Sequence, residues 1–223
     1  MNEIKITVRG THTTTLPPER GTIHATLALE GPEPEPVFEA VVSKLAAVKR
    51  SIEVLHDDER GPVTWYSFDQ VRRGCRRPWN KDGKQLPLVH FATVSITAKF
   101  RDFDELAKWV VWSAGVEGLT VGHIEWALTE ARRLEAERTT RQQAVRDANR
   151  RAQDYADALE LGSVEVRSIS DPGLSRPGGS ERRGYARADM LAGAAGSEEL
   201  TLRPEHVEIS AEVEAAFVIT AGK

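Results

Sequence analysis

The sequence predicts an α+β protein in which a mixed, largely antiparallel sheet of long strands is covered by helices. Two stretches, 88–100 and 207–219, alternate apolar and polar residues over more positions than an average strand needs. A third stretch, about 130–160, is charged and alanine-rich, with small or apolar residues every three or four positions. Together with the shorter patterns between them, these stretches give the element order ββαββαβαββ, which is typical of a sheet with helices packed on it.

The first third of the chain predicts two strands, a helix and a third strand. The first strand is expected at about 3–10, and the Thr- and Pro-containing stretch 11–21 is expected to be a loop. The second strand places the alternate residues of 23–29 on one face. A helix with apolar residues at helical spacing follows over 36–52, and a third strand is centred on 63–68.

The second helix has a signal at each end. Asp102, with Glu105 three residues later, resembles a capping box, and Gly115 suits a left-handed helix stop. Its buried stripe is expected to contain Phe103, Leu106 and Val110.

The strand after this helix changes its phase. Leu119 and Val121 stand at odd-numbered positions, which share one face of a strand. The alternate apolar residues Ile124, Trp126 and Leu128 stand at even-numbered positions, which would point to the opposite face. One extra residue would restore the buried face, so we expect a β-bulge near Gly122–His123.

The segment 130–160 is expected to be one long helix lying across a sheet. Glu137–Arg141 and Asp147–Arg151 are i,i+4 ion pairs on its surface. A coiled-coil stalk is the weaker alternative, because Leu and Ile do not hold the heptad positions. The expected stripe is Val145, Ala148, Ala152, Tyr155 or Ala156, and Leu159.

The C-terminal part predicts a strand, a long loop and a last strand. A strand at 163–170 follows Gly162, and the Gly-rich stretch 171–200 is expected to be a loop that is functional or mobile. The last strand is expected to offer an edge for self-association. That strand and the long helix each span about 45 Å, so they can lie side by side within a single domain covering 1–223.

The composition excludes several classes of protein. With 30 Lys and Arg against 34 Asp and Glu, the net charge of −4 gives no global signal for nucleic acid. Cys75 is the one cysteine, so an intrachain disulfide and a multi-cysteine zinc site are excluded. The N-terminus resembles a strand rather than a signal peptide, and no apolar run approaches a membrane span. We therefore expect a cytoplasmic protein, unless a signal peptide has been removed.

Four segments resemble the SIMPL domain family. They are "ITVRG" near the start, "VSITAKFRDFDELAKWV", "RQQAVRDANRRAQDYADALELGSVEVRSISD", and "LRPEHVEISAEVEAAFVI" near the end. The similarity covers about 3–220 and is carried by scaffold positions rather than by a catalytic motif. The chain departs from the family pattern in lacking an export signal, in an Arg-rich insertion at 72–84 and in the Gly-rich loop.

The resemblance implies a modest set of properties. The family is named for a mammalian signalling adaptor that associates with a pelle-like kinase. Many bacterial members are exported, some form ring- or channel-like homo-oligomers, and stress roles have been suggested. Neither an enzymatic activity nor a cofactor is implied.

The Arg-rich segment 72–84 is the most unusual local feature. Arg72, Arg73, Arg76 and Arg77 surround Cys75, with Trp79 and Lys81 nearby. Arginines in such a group could bind phosphate or nucleic acid. Nearby cations also stabilise a thiolate, which makes Cys75 a candidate reactive thiol. The plainest interpretation is a solvated hairpin tip between the third and fourth strands.

The sequence predicts neither a catalytic residue nor a metal site. Two His-x-Glu pairs, His123/Glu125 and His206/Glu208, have the spacing that puts both side chains on one face of a strand. A third ligand at a familiar spacing is missing, so cross-strand polar residues are the better interpretation. Phosphate-binding, dinucleotide-binding and nucleophile-elbow motifs are also missing. No cofactor is therefore expected.

Two tryptophans on the second helix are the candidate interface residues. Trp109 and Trp112 lie three positions apart and cannot both be buried with Val110 and Val111. We therefore expect a non-enzymatic structural or interaction protein of the SIMPL type that acts as a homo-oligomer, with another protein as an alternative partner. An anion- or nucleic-acid-binding protein using 72–84 and a thiol-based redox or stress protein using Cys75 are the alternatives.

Overall fold

A computed structural model describes residues 3–79, 81, 85–172 and 202–220. The class is α+β, as predicted, with all pairs of named strands antiparallel. The helices are α1 (Pro34–Glu53), α2 (Phe103–Ala114) and α3 (Glu130–Ala158). The strands are β1 (Glu3–Leu16), β2 (Arg20–Gly31), β3 (Val63–Phe68), β4 (Arg72–Arg76), β5 (Val89–Phe100), β6 (Leu119–Ala127), β7 (Glu165–Ser170) and β8 (Val207–Thr220).

The elements fall into two compact units and two sheets, where one sheet was expected. One unit contains β1, α3, β7 and β8, and the other contains α1, α2 and β2 to β6. The single domain expected over 1–223 stays a prediction. The predicted loop at 171–200 lies outside the described residues from 173 onward.

The larger unit is a sheet with the strand order β3-β5-β2-β6, and β4 also pairs with β5. The units β2–α1–β3 and β5–α2–β6 interleave, which is the split βαβ arrangement. Both helices pack on one face, because alternate strand residues such as Ile23, Leu27 and Ile96 are buried against them. The helical stripe expected on α1 is confirmed by the burial of Val41 and Ile52.

The bulge predicted in β6 is confirmed. In the pairing of β2 with β6, His24 faces His123 and the next residue, Ala25, faces Val121, so Gly122 is the extra residue. The bulge brings Ile124 to the buried face of the sheet.

The N-terminal cap of α2 is confirmed, and the helix ends just before Gly115 as predicted, but the left-handed conformation expected of Gly115 is wrong. The Asp102 carboxylate accepts hydrogen bonds from the backbone N–H groups of Asp104 and Glu105 at 3.0 and 3.1 Å. Gly115 has φ −83°, which any residue adopts. The left-handed residue is Gly118, with φ 82°, because the chain turns into β6 there rather than at the helix end.

The smaller unit is a three-stranded sheet with the order β1-β8-β7. The expectation that the last strand is an edge is wrong, because β8 pairs with β1 on one side and with β7 on the other. The expected loop at 11–21 is also wrong in its first half. β1 continues to Leu16, since the threonines there suit a strand that pairs with the first half of β8.

The long helix α3 is confirmed as one continuous helix that packs on β1 and β8. Its buried positions follow a strict four-residue spacing: Ala136, Thr140, Ala144, Ala148, Ala152 and Ala156. Of the two alternatives expected at one position of the stripe, Ala156 is buried and Tyr155 is exposed. Leu159, which was also expected in the stripe, is exposed. Four residues turn the helix by about 400°, so the buried row moves about 40° around the axis at each step. Such a row suits a twisted sheet.

The element order differs from the prediction by one strand. The first part of the Arg-rich segment, Arg72–Arg76, forms β4 and pairs with the start of β5, where a solvated tip was expected. The rest of the segment belongs to the connection between these two strands. Among the described helices, none has both the length and the apolar character that crossing a membrane requires.

Candidate functional site

The two tryptophans of α2 have different environments, as their spacing predicted. Trp109 is 3% exposed, whereas Trp112 is 40% exposed, and their ring centroids lie 5.9 Å apart. The indole N–H of Trp109 donates a hydrogen bond to Ser51 Oγ on α1 at 3.1 Å. Trp109 therefore fixes α2 against α1, and Trp112 lies beside it at the surface.

An apolar groove runs between the two helices. It has a volume of about 200 Å³. We call it the tryptophan groove, and it is lined by Ser51, Leu55, Glu105, Lys108, Trp109 and Trp112. Its lining is more apolar than polar, which is typical of a surface that binds another molecule. The sequence identified both tryptophans, but it gave no signal for the residues that α1 contributes.

One ion pair lies at the rim of the tryptophan groove. Lys108 Nζ donates to Glu105 Oε1 at 2.6 Å. The Glu105 carboxylate, as hydrogen-bond acceptor and as negative charge, raises the pKa of Lys108 above its ordinary value. The rim thus carries one acidic and one basic side chain around an apolar floor.

Three of the four predicted anion-binding arginines have partners within the chain. Arg76 Nη2 donates to both oxygens of Glu30 at 2.9 and 3.0 Å. Arg73 contacts Glu35 at 3.4 Å and lies 5.2 Å from the Phe38 ring centroid.

The other two arginines differ from each other. Arg77 donates to the Leu86 carbonyl. Arg72 is exposed, and its side chain makes no hydrogen bond or ion pair with another described residue. Anion binding by these arginines stays a prediction, since an anion would compete with the carboxylates that already hold two of them.

Cys75 lies on β4 and is exposed and free. Its partner in the ladder with β5 is His90. Directly opposed side chains on neighbouring antiparallel strands have Cβ atoms about 4.5–5.5 Å apart. The structure therefore puts an imidazole beside the candidate thiol, which the sequence did not indicate. The reactivity of Cys75 stays a prediction.

One of the two His-x-Glu pairs is joined by a third residue. His123 and Glu125 lie on β6, and His24 lies directly opposite His123 on β2. The two imidazole rings are stacked, with centroids 4.4 Å apart and planes inclined by 11°. His24 Nε2 lies 3.5 Å from Glu125 Oε2. We call these three residues the histidine cluster. In the other pair, His206 lies just before β8, and Glu208 lies opposite Thr15 on β1.

A broader surface cleft lies where the turn before β3 meets the start of α2. Its volume is about 600 Å³, and its polar lining includes Arg60, Arg101 and Asp102. Arg101 is held by the Glu59 carbonyl, which accepts a hydrogen bond from Nη1 at 2.6 Å. The Asp102 carboxylate is occupied as the helix cap. Arg101 and Asp102 are therefore already engaged within the chain.

The comparison with protein families assigns the chain. Residues 6–217 match the SIMPL family, which is described as a protein of unknown function (DUF541). Among curated proteins, none matches the chain. The match includes β1 from Ile6 and most of β8, and thus covers nearly all of the 223 residues. The chain belongs to the SIMPL family.

Proposed function

We propose that this protein is a non-enzymatic structural or interaction protein that assembles as a homo-oligomer through the tryptophan groove. The observation that carries the proposal is the exposure of Trp112 beside the buried Trp109. Exposed aromatic residues next to an apolar surface are typical of interface centres. The homo-oligomers that the SIMPL resemblance implies support the same choice.

The charges at the rim favour a second copy of the chain as the partner. A two-fold contact brings the same patch together from both copies, so the patch must complement itself. Glu105 and Lys108 provide opposite charges on one rim. Glu105 of one copy can therefore face Lys108 of the other copy across such a contact. A rim that carried charges of only one sign would repel the same rim on the second copy.

Two tryptophan variants test the proposal. Trp112→Ala removes the exposed ring from the groove, and Trp65→Ala removes a ring of similar exposure (48%) from β3 as the matched control. By sedimentation velocity, we expect Trp112→Ala to shift the mass towards that of the 24.7 kDa chain and Trp65→Ala to keep the wild-type mass. An equal response of both variants would reject the groove as the interface. Circular dichroism confirms that both are folded.

A charge exchange tests the self-complementary rim. Lys108→Glu leaves two acidic side chains on each rim, so the copies repel and the assembly weakens. The double variant Glu105→Lys with Lys108→Glu restores one charge of each sign and should restore the mass. Failure of the double variant to recover, with its fold intact, would show that these charges do not face each other.

Anion binding through Arg72, Arg73, Arg76 and Arg77 is a second proposal. It predicts binding of a single-stranded oligonucleotide or inorganic phosphate that weakens as salt is raised. Arg72→Ala should weaken it most directly, because Arg72 has no competing described carboxylate. Binding that does not depend on the salt concentration, or that Arg72→Ala leaves unchanged, would exclude this proposal.

A thiol function of Cys75 is a third proposal. It predicts that alkylation of Cys75 near neutral pH is faster than alkylation of a small model thiol. His90→Asn should slow the reaction if the opposed imidazole assists it. We further propose a cytoplasmic location, where a single free thiol would stay reduced. An ordinary alkylation rate in the wild type would remove the thiol proposal.

A further inference from the structure

The exposed face of α3 carries a row of arginines. The buried positions of this helix recur every four residues, so the residue two places after each of them lies about 200° around the axis, on the face that points away from the sheet. For the buried positions from Ala136 to Ala152, these residues are Arg138, Gln142, Arg146, Arg150 and Asp154, and all are exposed. We call Arg138, Arg146 and Arg150 the arginine ridge.

The middle of α3 has a charge opposite to that of the whole chain. Residues 138–151 contain five arginines and one acidic residue, Asp147, so this segment has a net charge of +4, against −4 for the 223 residues. The first turns of the helix differ, because arginines and glutamates alternate there and Arg133 pairs with both Glu130 and Glu137. The helix dipole favours cations only near the last turn, so it does not explain a positive charge in the middle. The arginine ridge is therefore a local basic patch on a chain that is acidic as a whole.

Two arginines of the ridge are not engaged by the part of the chain that the structure describes. The side chains of Arg138 and Arg146 make no hydrogen bond or ion pair with another described residue. Arg150 donates to the Asp147 carboxylate at 2.9 Å, but 72% of its side chain stays exposed. Like charges four residues apart, such as Arg146 and Arg150, destabilise a helix slightly rather than support it. The folding of α3 therefore does not account for the ridge, and its guanidinium groups are free to contact a partner.

The spacing of the ridge suits an extended anion. At about 1.5 Å per residue, Arg138 and Arg146 lie about 12 Å apart along the helix axis, and Arg138 and Arg150 about 18 Å apart. A single phosphate group cannot contact arginines at such separations. A nucleic-acid duplex presents one phosphate charge per roughly 1.7 Å of its own axis, so a length of about 18 Å offers about ten charges.

We infer that the arginine ridge binds the phosphate backbone of double-stranded nucleic acid. Guanidinium groups bind phosphate oxygens through paired, charge-assisted hydrogen bonds. Gln142 lies in the same row and Asn149 precedes Arg150, and both are exposed. Side-chain amides of this kind also donate to phosphates and sugars.

The residues between the arginines favour a duplex over two other polyanions. Residues 138–151 contain no aromatic side chain, so the ridge lacks the stacking surface on which single strands are bound. An anionic membrane would need exposed apolar side chains that enter it. None of the apolar residues of 138–151 is exposed, since Val145 is half-buried and both alanines are buried.

Salt-dependent binding of a DNA duplex by the untagged full chain tests the inference. The probe is a fluorescein-labelled duplex of mixed sequence and about 20 base pairs, or two helical turns, and fluorescence anisotropy reports its binding. Neutralisation of three phosphates gives a slope of about −2.7 when the logarithm of the affinity is plotted against that of the salt concentration. The affinity should thus fall about forty-fold between about 50 and 200 mM salt. Absence of binding at about 50 mM salt would overturn the inference.

A pair of double variants separates the ridge from the net charge of the chain. Arg138→Ala with Arg146→Ala should reduce the slope to about −0.9 and weaken binding at least tenfold at about 50 mM salt. Alanine is the best helix former, so α3 should stay folded. Arg132→Ala with Arg133→Ala removes the same charge from the same helix, but these two arginines are held by glutamates, so this variant should keep the wild-type slope. An equal loss in both double variants would overturn the inference.

Two further arms separate the ridge from another basic segment and from another ligand. Arg72→Ala should leave duplex binding unchanged, whereas a loss as large as that of the ridge variant would assign the duplex to 72–84 and overturn the inference. Vesicles that contain phosphatidylserine should not bind at the same salt concentration. Binding to these vesicles without binding to the duplex would also overturn it.

A measurement on the wild-type protein needs no substitution. The duplex should protect Arg138 and Arg146 from modification by phenylglyoxal, as read by mass spectrometry, while it leaves the reactivity of Arg132 unchanged. Equal modification of Arg138 and Arg146 with and without the duplex would reject the site. The tryptophan groove is formed by α1 and α2 rather than by α3, so the test of assembly and the test of the ridge can fail independently.

Discussion

Gly10 of β1 lies directly against Ala148 of α3. A Cβ atom at Gly10 would lie 2.7 Å from Ala148 Cβ and 2.1 Å from the carbonyl oxygen of Ala144. The strand and helix backbones are thus in contact, with nothing larger than a methyl group between them. Alanines along the helix and a glycine on the strand are the residues that such an approach allows.

Gly10→Ala should destabilise the protein. The added methyl group meets helix backbone, which cannot rotate away, so the helix must shift. Overpacking of this kind typically costs about 1–3 kcal/mol, and we expect a loss of about 3 kcal/mol in the free energy of unfolding. Urea denaturation measures the change.

Gly115→Ala is the matched control for this substitution. Its φ of −83° suits alanine, and the nearest atom to the new Cβ is 3.4 Å away. A less flexible unfolded chain should stabilise this variant by about 0.4–1 kcal/mol. If Gly10→Ala were as harmless as Gly115→Ala, the close contact of β1 with α3 would be wrong.

Asp147 should make stability depend on acid pH. Its carboxylate accepts hydrogen bonds from Arg150 Nη2 at 2.9 Å and from the Thr11 backbone N–H at 3.1 Å. These bonds, with Arg151 nearby, hold the pKa of Asp147 below its ordinary value of 3.8. A lowered pKa means that the folded state favours the carboxylate. The stabilisation is therefore complete above that value and is lost as the pH falls below it.

Urea midpoints measured from about pH 6 to about pH 2.5 test this linkage. We expect Asp147→Asn to lose less stability on acidification than the wild type. Asp154→Asn, on the exposed side of the same helix, removes a carboxyl group without removing these bonds and should follow the wild type. If the stability of Asp147→Asn depended on pH as strongly as that of the wild type, Asp147 would not be the source of the acid sensitivity.

Removal of the α2 cap should cost about 1 kcal/mol. Asp102→Ala leaves the N–H groups of Asp104 and Glu105 without their acceptor, and loss of such a cap typically costs 0.5–2 kcal/mol. Glu33 holds the same position at α1 but makes no capping hydrogen bond, so Glu33→Ala should stay within about 0.5 kcal/mol of the wild type. Thermal unfolding of the two variants measures both changes in stability. Equal stability of Asp102→Ala and Glu33→Ala would contradict the role of Asp102 as the cap.

Local patterns predicted the elements that depend on local chemistry. Val41 and Ile52 marked the buried face of α1, Asp102 marked the start of α2, and the phase change around Gly122 marked the bulge. Each of these signals acts within a few residues. The different environments of Trp109 and Trp112 were also predictable from local spacing. A helix buries one face, so two tryptophans three positions apart cannot both be buried together with Val110 and Val111.

Pairing between distant strands was not predictable from the same patterns. The central position of β8 depends on β1, at the other end of the chain, and the length of β1 depends on β8. β4 was missed because its arginines suggested a solvated turn, although Cys75 and Arg76 pair with β5. His24 was likewise separated from His123, because only the strand register brings their rings together.

The mass of the wild-type protein in solution tests the proposed assembly most directly. Sedimentation equilibrium at micromolar concentration should report a species well above the 24.7 kDa chain, and dilution should shift the species towards that mass. A monomer that stays at 24.7 kDa across the whole concentration range would contradict the assembly and the role assigned to Trp112.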